Sequence, residues 1–251
     1  MKKKIAVIGS GIAGLSASYF LQNQFNVTLF EKNYYLGGHA NTQEVKDSQQ
    51  NSVSIDTGFI VFNELTYPNL SKLFREIDVE VCNSDMSFSF YNSSTQFEYG
   101  GGSMKAIFAN PQNLLNWNFY RMLKDILYFY KKFQSKNISS DITIRQYLET
   151  QKFSQEFIYN HFLPLISSIW SSPDSNSLDQ PLKSIISFFQ NHKLFNFLNR
   201  PQWKTVKGGS RNYIKNLINN SHFDIKTSFT IDKINREDKI EIISQNEKLY
   251  F

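Results

Sequence analysis

Gly9, Gly11 and Gly14 stand in a G-x-G-x-x-G arrangement, and an acid, Glu31, follows about twenty residues beyond Gly11. Each residue type answers a chemical need. The first glycine allows a tight turn, the second lets backbone approach a pyrophosphate, and the third lets a helix pack close to a strand. Ser10, Ile12 and Ala13 fill the intervening positions, so their backbone N–H groups lie where a helix N-terminus offers donors and a positive dipole end to phosphate. An acidic side chain at the position of Glu31 accepts hydrogen bonds from a ribose diol. The set suits a dinucleotide.

Such a set works only on a strand, a turn, a helix and a second strand, in that order. Residues 5–8 form a short apolar run, as expected of a parallel strand buried on both faces. Ile12, Leu15, Tyr19 and Phe20 recur at helical spacing, and a second apolar run at 27–30 ends on Glu31. All parts are in register. A plain βαβ unit without a ligand would leave Glu31 with no role.

The rest of the chain bounds the chemistry. Its 251 residues suffice for one large or two small domains with a substantial core. The net charge of +5 is modest, and the basic residues are scattered. The one tight run, Lys2-Lys3-Lys4, directly precedes the first strand and reads as its solvated approach, not as a nucleic-acid or membrane patch. A single cysteine, Cys82, excludes a disulfide framework and a thiolate metal site. His39, His161, His192 and His222 lack metal-ligand spacing. No apolar run reaches spanning length and the first strand begins at once, so a cytoplasmic protein without an integral membrane segment is expected.

Beyond Glu31, the pair Gly37-Gly38 marks a turn where a second backbone segment can close over a dinucleotide. Residues 42–45 and 53–55 read as a hairpin around DSQQNS, and Asp56-Thr57-Gly58 leads into the apolar run 59–62.

Taken together, G-x-G-x-x-G-L, VTLFE, GGHANT at 37–42, IDTGFIVFN at 55–63 and Tyr67-Pro68-Asn69-Leu70 resemble the FAD-dependent amine oxidase superfamily. That group includes monoamine and polyamine oxidases, phytoene desaturases and protoporphyrinogen oxidases. The sequence is most similar to a bacterial branch of NAD/FAD-binding amino-oxidase-like proteins of unassigned substrate. The resemblance continues through Leu163-Pro164, Ile169-Trp170-Ser171 and WKTVKGGS at 203–210. It implies FAD as cofactor. Gly9, Ser10, Gly11, Ile12, Ala13 and Gly14 would surround its pyrophosphate, and Glu31, with Lys32 beside it, would hold the adenosine ribose. Gly38 and His39 would pass along its phosphates, and Gly58, Phe59 and Ile60 would lie near the flavin ring. The superfamily commonly has Arg where this chain has His39. A neutral His donates one bond where Arg offers a fixed fork, so His39 either does a weaker version of that job or packs locally. Asp56 either lies near the flavin or stabilises a turn.

The middle of the chain reads as further elements. A helix covers 66–77, with Leu70, Leu73, Phe74 and Ile77 on one face, and strands cover 79–81, 87–91 and 95–99, suited to an antiparallel substrate-domain sheet. The longest helical pattern spans 113–133. It is either a buried-face helix of the second domain, the reading favoured here, or a lid or membrane-surface helix guiding an apolar substrate. Helices are expected at 142–148, 154–166 and 182–198, a loop at 171–177, and strands at 226–230, 239–244 and 248–251. Trp170 and Trp203 could form an aromatic cage, though large aromatics more often build core. His161, among Phe157, Ile158, Phe162 and Leu165, reads as a core histidine. Spacing alone assembles no triad or carboxylate pair, so no catalytic residue is assigned.

The expected fold class is α/β: a Rossmann-like FAD-binding domain, discontinuous over 1–62 and 205–251, with an inserted α+β substrate domain over 63–204. The function implied is FAD-dependent oxidation of a C–N or C–C bond of an unidentified small molecule, by hydride transfer to flavin. Two rivals are an NAD-linked dehydrogenase and a non-catalytic cofactor-binding fragment. The superfamily pattern continues past residue 251 with a strand returning to the nucleotide domain and a segment contacting the flavin. A fragment or half of a split protein, completed by a C-terminal partner chain, is therefore expected.

Overall fold

The computed structural model describes residues 2–135, 141–170, 177–196, 200–237, 239–245 and 247–251. The chain forms two compact units, Met1–Ser84 with Gln202–Phe251, and Asp85–Pro201.

The first unit opens with β1 (Lys4–Ile8), α1 (Ile12–Leu21) and β2 (Asn26–Phe30). β1 and β2 pair in parallel from Lys4↔Asn26 to Ile8↔Phe30. β2 is the inner strand and buries Val27, Leu29 and Phe30. β1 is not buried on both faces: it is an outer strand of this sheet among the described residues, and Ile8 is 54% exposed. β3 (Thr42–Lys46) and β4 (Ser52–Asp56) form the expected hairpin. Asp47 closes its turn by accepting from the backbone N–H groups of Gln49 and Asn51. Pro68 starts α2 (Pro68–Glu76), where its missing N–H costs nothing. α2 buries Leu73 and Phe74, which join Ile77, Val206, Tyr213 and Leu217 in one core. That burial keeps the chain in the first unit as far as Ser84, beyond the boundary expected near residue 62. β5 (Val81–Ser84) ends this part.

The second unit begins with the hairpin β6 (Ser89–Asn92) and β7 (Phe97–Gly100). These two pair only with each other among the described residues, so the three-stranded sheet expected from the sequence does not form. α3 (Met104–Ile107) and a 3₁₀ turn (Pro111–Leu115) follow. α4 (Trp117–Phe133) starts later than its periodicity suggests, because Asn116 is extended and caps the N–H groups of Asn118 and Phe119. α5 (Ile144–Thr150) carries a capping box of Thr143 and Gln146. The next helical stretch is α6 (Gln155–Phe157), a π-helical turn (Ile158–Phe162) and α7 (Leu163–Trp170). α8 (Leu182–Asn191) stops at His192, short of the predicted end at residue 198. Residues 171–176 of the expected loop and 197–198 of that helix lie outside the described residues. The core is aromatic: Phe119, Phe129, Phe157, Phe162 and Phe189 are fully buried. The favoured reading of α4 holds on its inner side, where Phe119, Met122, Ile126, Phe129, Tyr130 and Phe133 are buried.

The chain then returns to the first unit. β8 (Trp203–Val206) pairs antiparallel with β5. Gly208 and Gly209, both left-handed, turn it into α9 (Arg211–Asn219). Next comes β9 (Asp224–Lys226), parallel to β2. β10 (Lys233–Arg236), β11 (Ile240–Ile243) and β12 (Lys248–Tyr250) make a small antiparallel sheet. The sequence pattern missed β8, α9 and β10.

Candidate dinucleotide site

The Gly-rich turn connects β1 to α1. Gly9 is left-handed, with φ +92°, and its N–H donates to the Phe30 carbonyl at 2.7 Å. The three glycines do different work. A Cβ on Gly14 would fall on the Gly9 carbonyl oxygen, so this glycine is demanded by helix–strand packing. A Cβ on Gly11 would meet nothing within 4 Å. The protein's own packing does not require glycine there; close approach by a ligand would. Gly11 is also the N-cap of α1, which has no side-chain cap and no acid in its first turn. The helix therefore presents its positive end and orphan N–H groups outward.

Glu31 lies directly behind this turn, 7% exposed. One carboxylate oxygen, Oε2, accepts from Ser10 N–H at 2.8 Å and Ser10 Oγ at 2.7 Å. The other, Oε1, accepts from Asn33 N–H at 2.9 Å. Burial pushes its carboxyl upward, but bonds from Ser10 and Asn33 and the Lys32 charge outweigh that and hold it below the usual glutamate value. Glu31 thus already has a structural role, tying the end of β2 to the Gly-rich turn. A diol must share the carboxylate with Ser10 or displace its hydroxyl.

A second backbone segment closes over the turn. Gly37 N–H donates to the Ser10 carbonyl at 3.0 Å. Gly38, with φ +58°, packs so closely that its Cβ would stand 3.0 Å from Gly11 Cα. The His39 carbonyl accepts from Phe59 N–H at 2.9 Å and Asn41 N–H at 3.0 Å. Gly58 is needed for that contact, because a Cβ there would strike the His39 carbonyl. The close approach expected of Gly58 is therefore to this chain's own backbone. The His39 imidazole is exposed and makes no hydrogen bond among the described residues.

These segments enclose a cavity of about 490 Å³. Gly11, Ile12 and Ala13 line one side, and Gly37, Gly38, His39 and Ala40 a second. Phe59, Tyr67, Leu70 and Tyr213 supply an apolar wall. Of the residues singled out in the sequence, Gly9, Ser10, Gly14, Glu31 and Gly58 do not line the cavity. Lys32 is exposed beside Glu31, and Ile60 is 53% exposed outside the lining. Tyr67, Leu70 and Tyr213 were missed as site residues. The spacing of Tyr213, Ile214 and Leu217 on a helical face was the available signal for the last.

A larger hollow of about 580 Å³ is lined by Lys2, Lys4, His222, Lys226 and residues of β12, with no glycine of the motif. Two of its four lysines are ion-paired, Lys226 with Glu247 at 2.6 Å and Lys248 with Glu241 at 3.3 Å. Gly11 of the motif lines the smaller cavity instead.

Asp56 takes the structural option. Both its oxygens accept from Ser210 N–H at 2.9 Å, and Oδ1 also accepts from Ser210 Oγ at 2.7 Å and Thr42 Oγ1 at 2.6 Å. Thr42 Oγ1 in turn accepts from Arg211 N–H at 2.9 Å. Asp56 thereby caps α9 from a distant strand and fixes Tyr213 in the cavity wall. Burial, and then the Asp56 charge, push the Tyr213 hydroxyl pKa upward, so it stays protonated.

The other candidates settle into core. Trp203 is buried in the first unit, and Trp170 packs on Phe188 at 4.8 Å in the second. His161 is enclosed in the second unit, with Tyr99 Oη 2.7 Å from Nδ1 and Tyr130 Oη 3.3 Å from Nε2. Burial lowers its pKa to about 3, so it is neutral near pH 7. No group of His, Cys, Asp and Glu among the described residues could hold a metal ion. No helix among them is long and apolar enough to cross a membrane.

Residues 7–77 match the NAD(P)-binding Rossmann-like domain. The uncapped α1, the three glycines and Glu31 all fall inside this Rossmann-like domain. The chain is similar to a 1-hydroxycarotenoid 3,4-desaturase of Flavobacterium sp. (strain P99-3), 28% identical over 223 residues, which covers 83% of this chain and 40% of the relative. Its fold is that of a cyclohexylamine oxidase from Brevibacterium oxydans IH-35A, with a TM-score of 0.67 at 15% identity over 100% of this chain and 56% of the other. A protoporphyrinogen oxidase candidate from Exiguobacterium sp. 255-15 gives 0.66 at 17% identity, over 100% and 58%. The chain spans about 40% of the length of the curated relative and little more than half of these structures.

Proposed function

We propose that the chain binds FAD through its Rossmann-like domain and belongs to an oxidoreductase acting on a small, apolar molecule at a C–N or C–C bond. The observation that carries this reading is the open face of Gly11. It is a glycine that packing does not require, at an uncapped helix N-terminus, beside a cavity and in front of a buried acid. These residues fit a flavin dinucleotide. The pyrophosphate would meet the first N–H groups of α1, the ribose diol would meet Glu31, and Phe59, Tyr67 and Tyr213 would face the less polar part. When bound, a flavin supplies the redox chemistry, accepting a hydride from substrate. The chain's own work is binding and exclusion of water. Gly37 and Gly38 close over the pyrophosphate position, and the apolar wall keeps it dry. The similar 1-hydroxycarotenoid 3,4-desaturase and cyclohexylamine oxidase support the two bond types.

The match to an NAD(P)-binding Rossmann-like domain favours a second reading, a nicotinamide dinucleotide in the same site. A carboxylate at Glu31 would repel a 2′-phosphate, so NAD and not NADP is the form to compare. Heat-released cofactor from purified protein separates the two by absorbance. A flavin spectrum supports the proposal, and a nicotinamide spectrum without flavin overturns it.

A further inference from the structure

The outer side of α4 carries a pattern that its core packing does not use. Trp117, Arg121, Lys124, Tyr128 and Lys131 recur at alternating spacings of four and three, and all are exposed. They form one stripe, roughly 21 Å long at 1.5 Å per residue. The stripe is of one sign. The only acid in α4, Asp125, is turned to Ser154 and accepts from its N–H at 2.8 Å and Oγ at 2.6 Å. Arg121, Lys124 and Lys131 make no ion pair among the described residues.

The stripe begins at an apolar knuckle. In the 3₁₀ turn before α4, Leu114 is 53% and Leu115 95% exposed, and Trp117 is 77% exposed. Scattered apolar residues on a surface need no explanation. Three of them at the end of a basic and aromatic stripe make a continuous amphipathic surface. Two leucines have nothing to bond on a base or a phosphate, so a nucleic acid would leave them idle. A bilayer interface uses every member: leucines enter the acyl boundary, Trp and Tyr sit at headgroup level, and cations lie along anionic headgroups. We infer that the outer face of α4, with Leu114 and Leu115, is a docking surface for an anionic lipid bilayer. The attachment is peripheral and does not depend on the cofactor reading.

The test is flotation of the full chain with vesicles of phosphatidylcholine alone, and of phosphatidylcholine with about one-third phosphatidylserine. The chain should float with the anionic vesicles and much less with the neutral ones. Each basic residue near a charged surface is worth about fivefold, so Arg121→Gln, Lys124→Gln and Lys131→Gln together should weaken partitioning about a hundredfold. Leu115→Ser with Trp117→Ser should also abolish flotation while leaving every charge in place. All five side chains are exposed, so circular dichroism should not change. The proposal is overturned if the chain fails to float, if the variants float as wild type does, or if a single-stranded oligonucleotide binds more tightly than the vesicles and strips the chain from them.

Discussion

Gly11 and Gly14, three residues apart, give opposite forecasts for the same substitution. At Gly14 a methyl group would lie well inside the ~3.5 Å of ordinary van der Waals contact, and its neighbour is the rigid carbonyl of Gly9. Either α1 or the turn must move, and overpacking of this kind costs about 1–3 kcal/mol. For a chain of this size, each kcal/mol lowers Tm by roughly 2–4 °C, so Gly14→Ala should melt about 2–12 °C below wild type. At Gly11 the methyl group meets open space, and φ of −65° suits any residue. The lost chain entropy of glycine in the unfolded state offsets a poorer N-cap, so stability should change by less than about 0.5 kcal/mol. Gly11→Ala should nevertheless weaken FAD binding, because the methyl group stands where pyrophosphate must approach. A forced displacement of about 1–3 kcal/mol corresponds to a loss of roughly 5- to 150-fold in Kd. Differential scanning fluorimetry and a flavin fluorescence titration read the two effects. Equal melting temperatures for the two variants would refute the packing argument, and an unchanged Kd in Gly11→Ala would refute the ligand argument.

Glu31→Ala should raise the Kd for FAD by about 1–3 kcal/mol in a calorimetric titration, the scale of a charge-assisted hydrogen bond. Because the folded Glu31 pKa is held below its usual value, its stabilising effect is present above that value and is lost as pH falls through the folded one, so acid unfolding should be shallower in Glu31→Gln. Asp56→Ala leaves the buried Ser210 and Thr42 without their acceptor and should cost about 1.5–3 kcal/mol in urea unfolding. His161 is the reverse case of a base kept neutral. Between its ordinary value near 6.5 and its folded value of about 3, only the unfolded chain takes up the proton, so stability should fall as pH drops across that window. Melting curves of His161→Phe should be flatter there than wild type.

Much of the first unit was legible because its signals are local. The apolar runs before Gly9 and before Glu31, the helical spacing of Leu15 and Tyr19, and the turn DSQQNS all act over a few residues. What the pattern missed depends on distant partners. β8 is a strand because β5 pairs with it, from Val81↔Val206 to Ser84↔Trp203, and neither run is long enough to declare itself. β1 reads as buried on both faces, yet it is an outer strand, since a local apolar run carries no information on strand order. The role of Asp56 was undecidable for the same reason: its partner, Ser210, is far along the chain and sits in a Gly-Gly-Ser turn with no strong propensity of its own. His161 was legible because its neighbours at helical spacing are all apolar, although the two tyrosines that satisfy it were not. The outer stripe of α4 was visible only in part: its basic residues show in the sequence, but which side of the helix they occupy follows from the core.

The central claim, that the Gly11 face and Glu31 form a flavin dinucleotide site, is tested most directly by titrating the purified chain with FAD, NAD and NADP under one set of conditions. Flavin fluorescence and calorimetry both report the binding. The account predicts saturable binding of FAD, competition by ADP, which carries the same ribose and pyrophosphate, and poor binding of NADP against the Glu31 carboxylate. Saturable NAD binding with no measurable FAD binding, or FAD binding that ADP cannot displace, would contradict it.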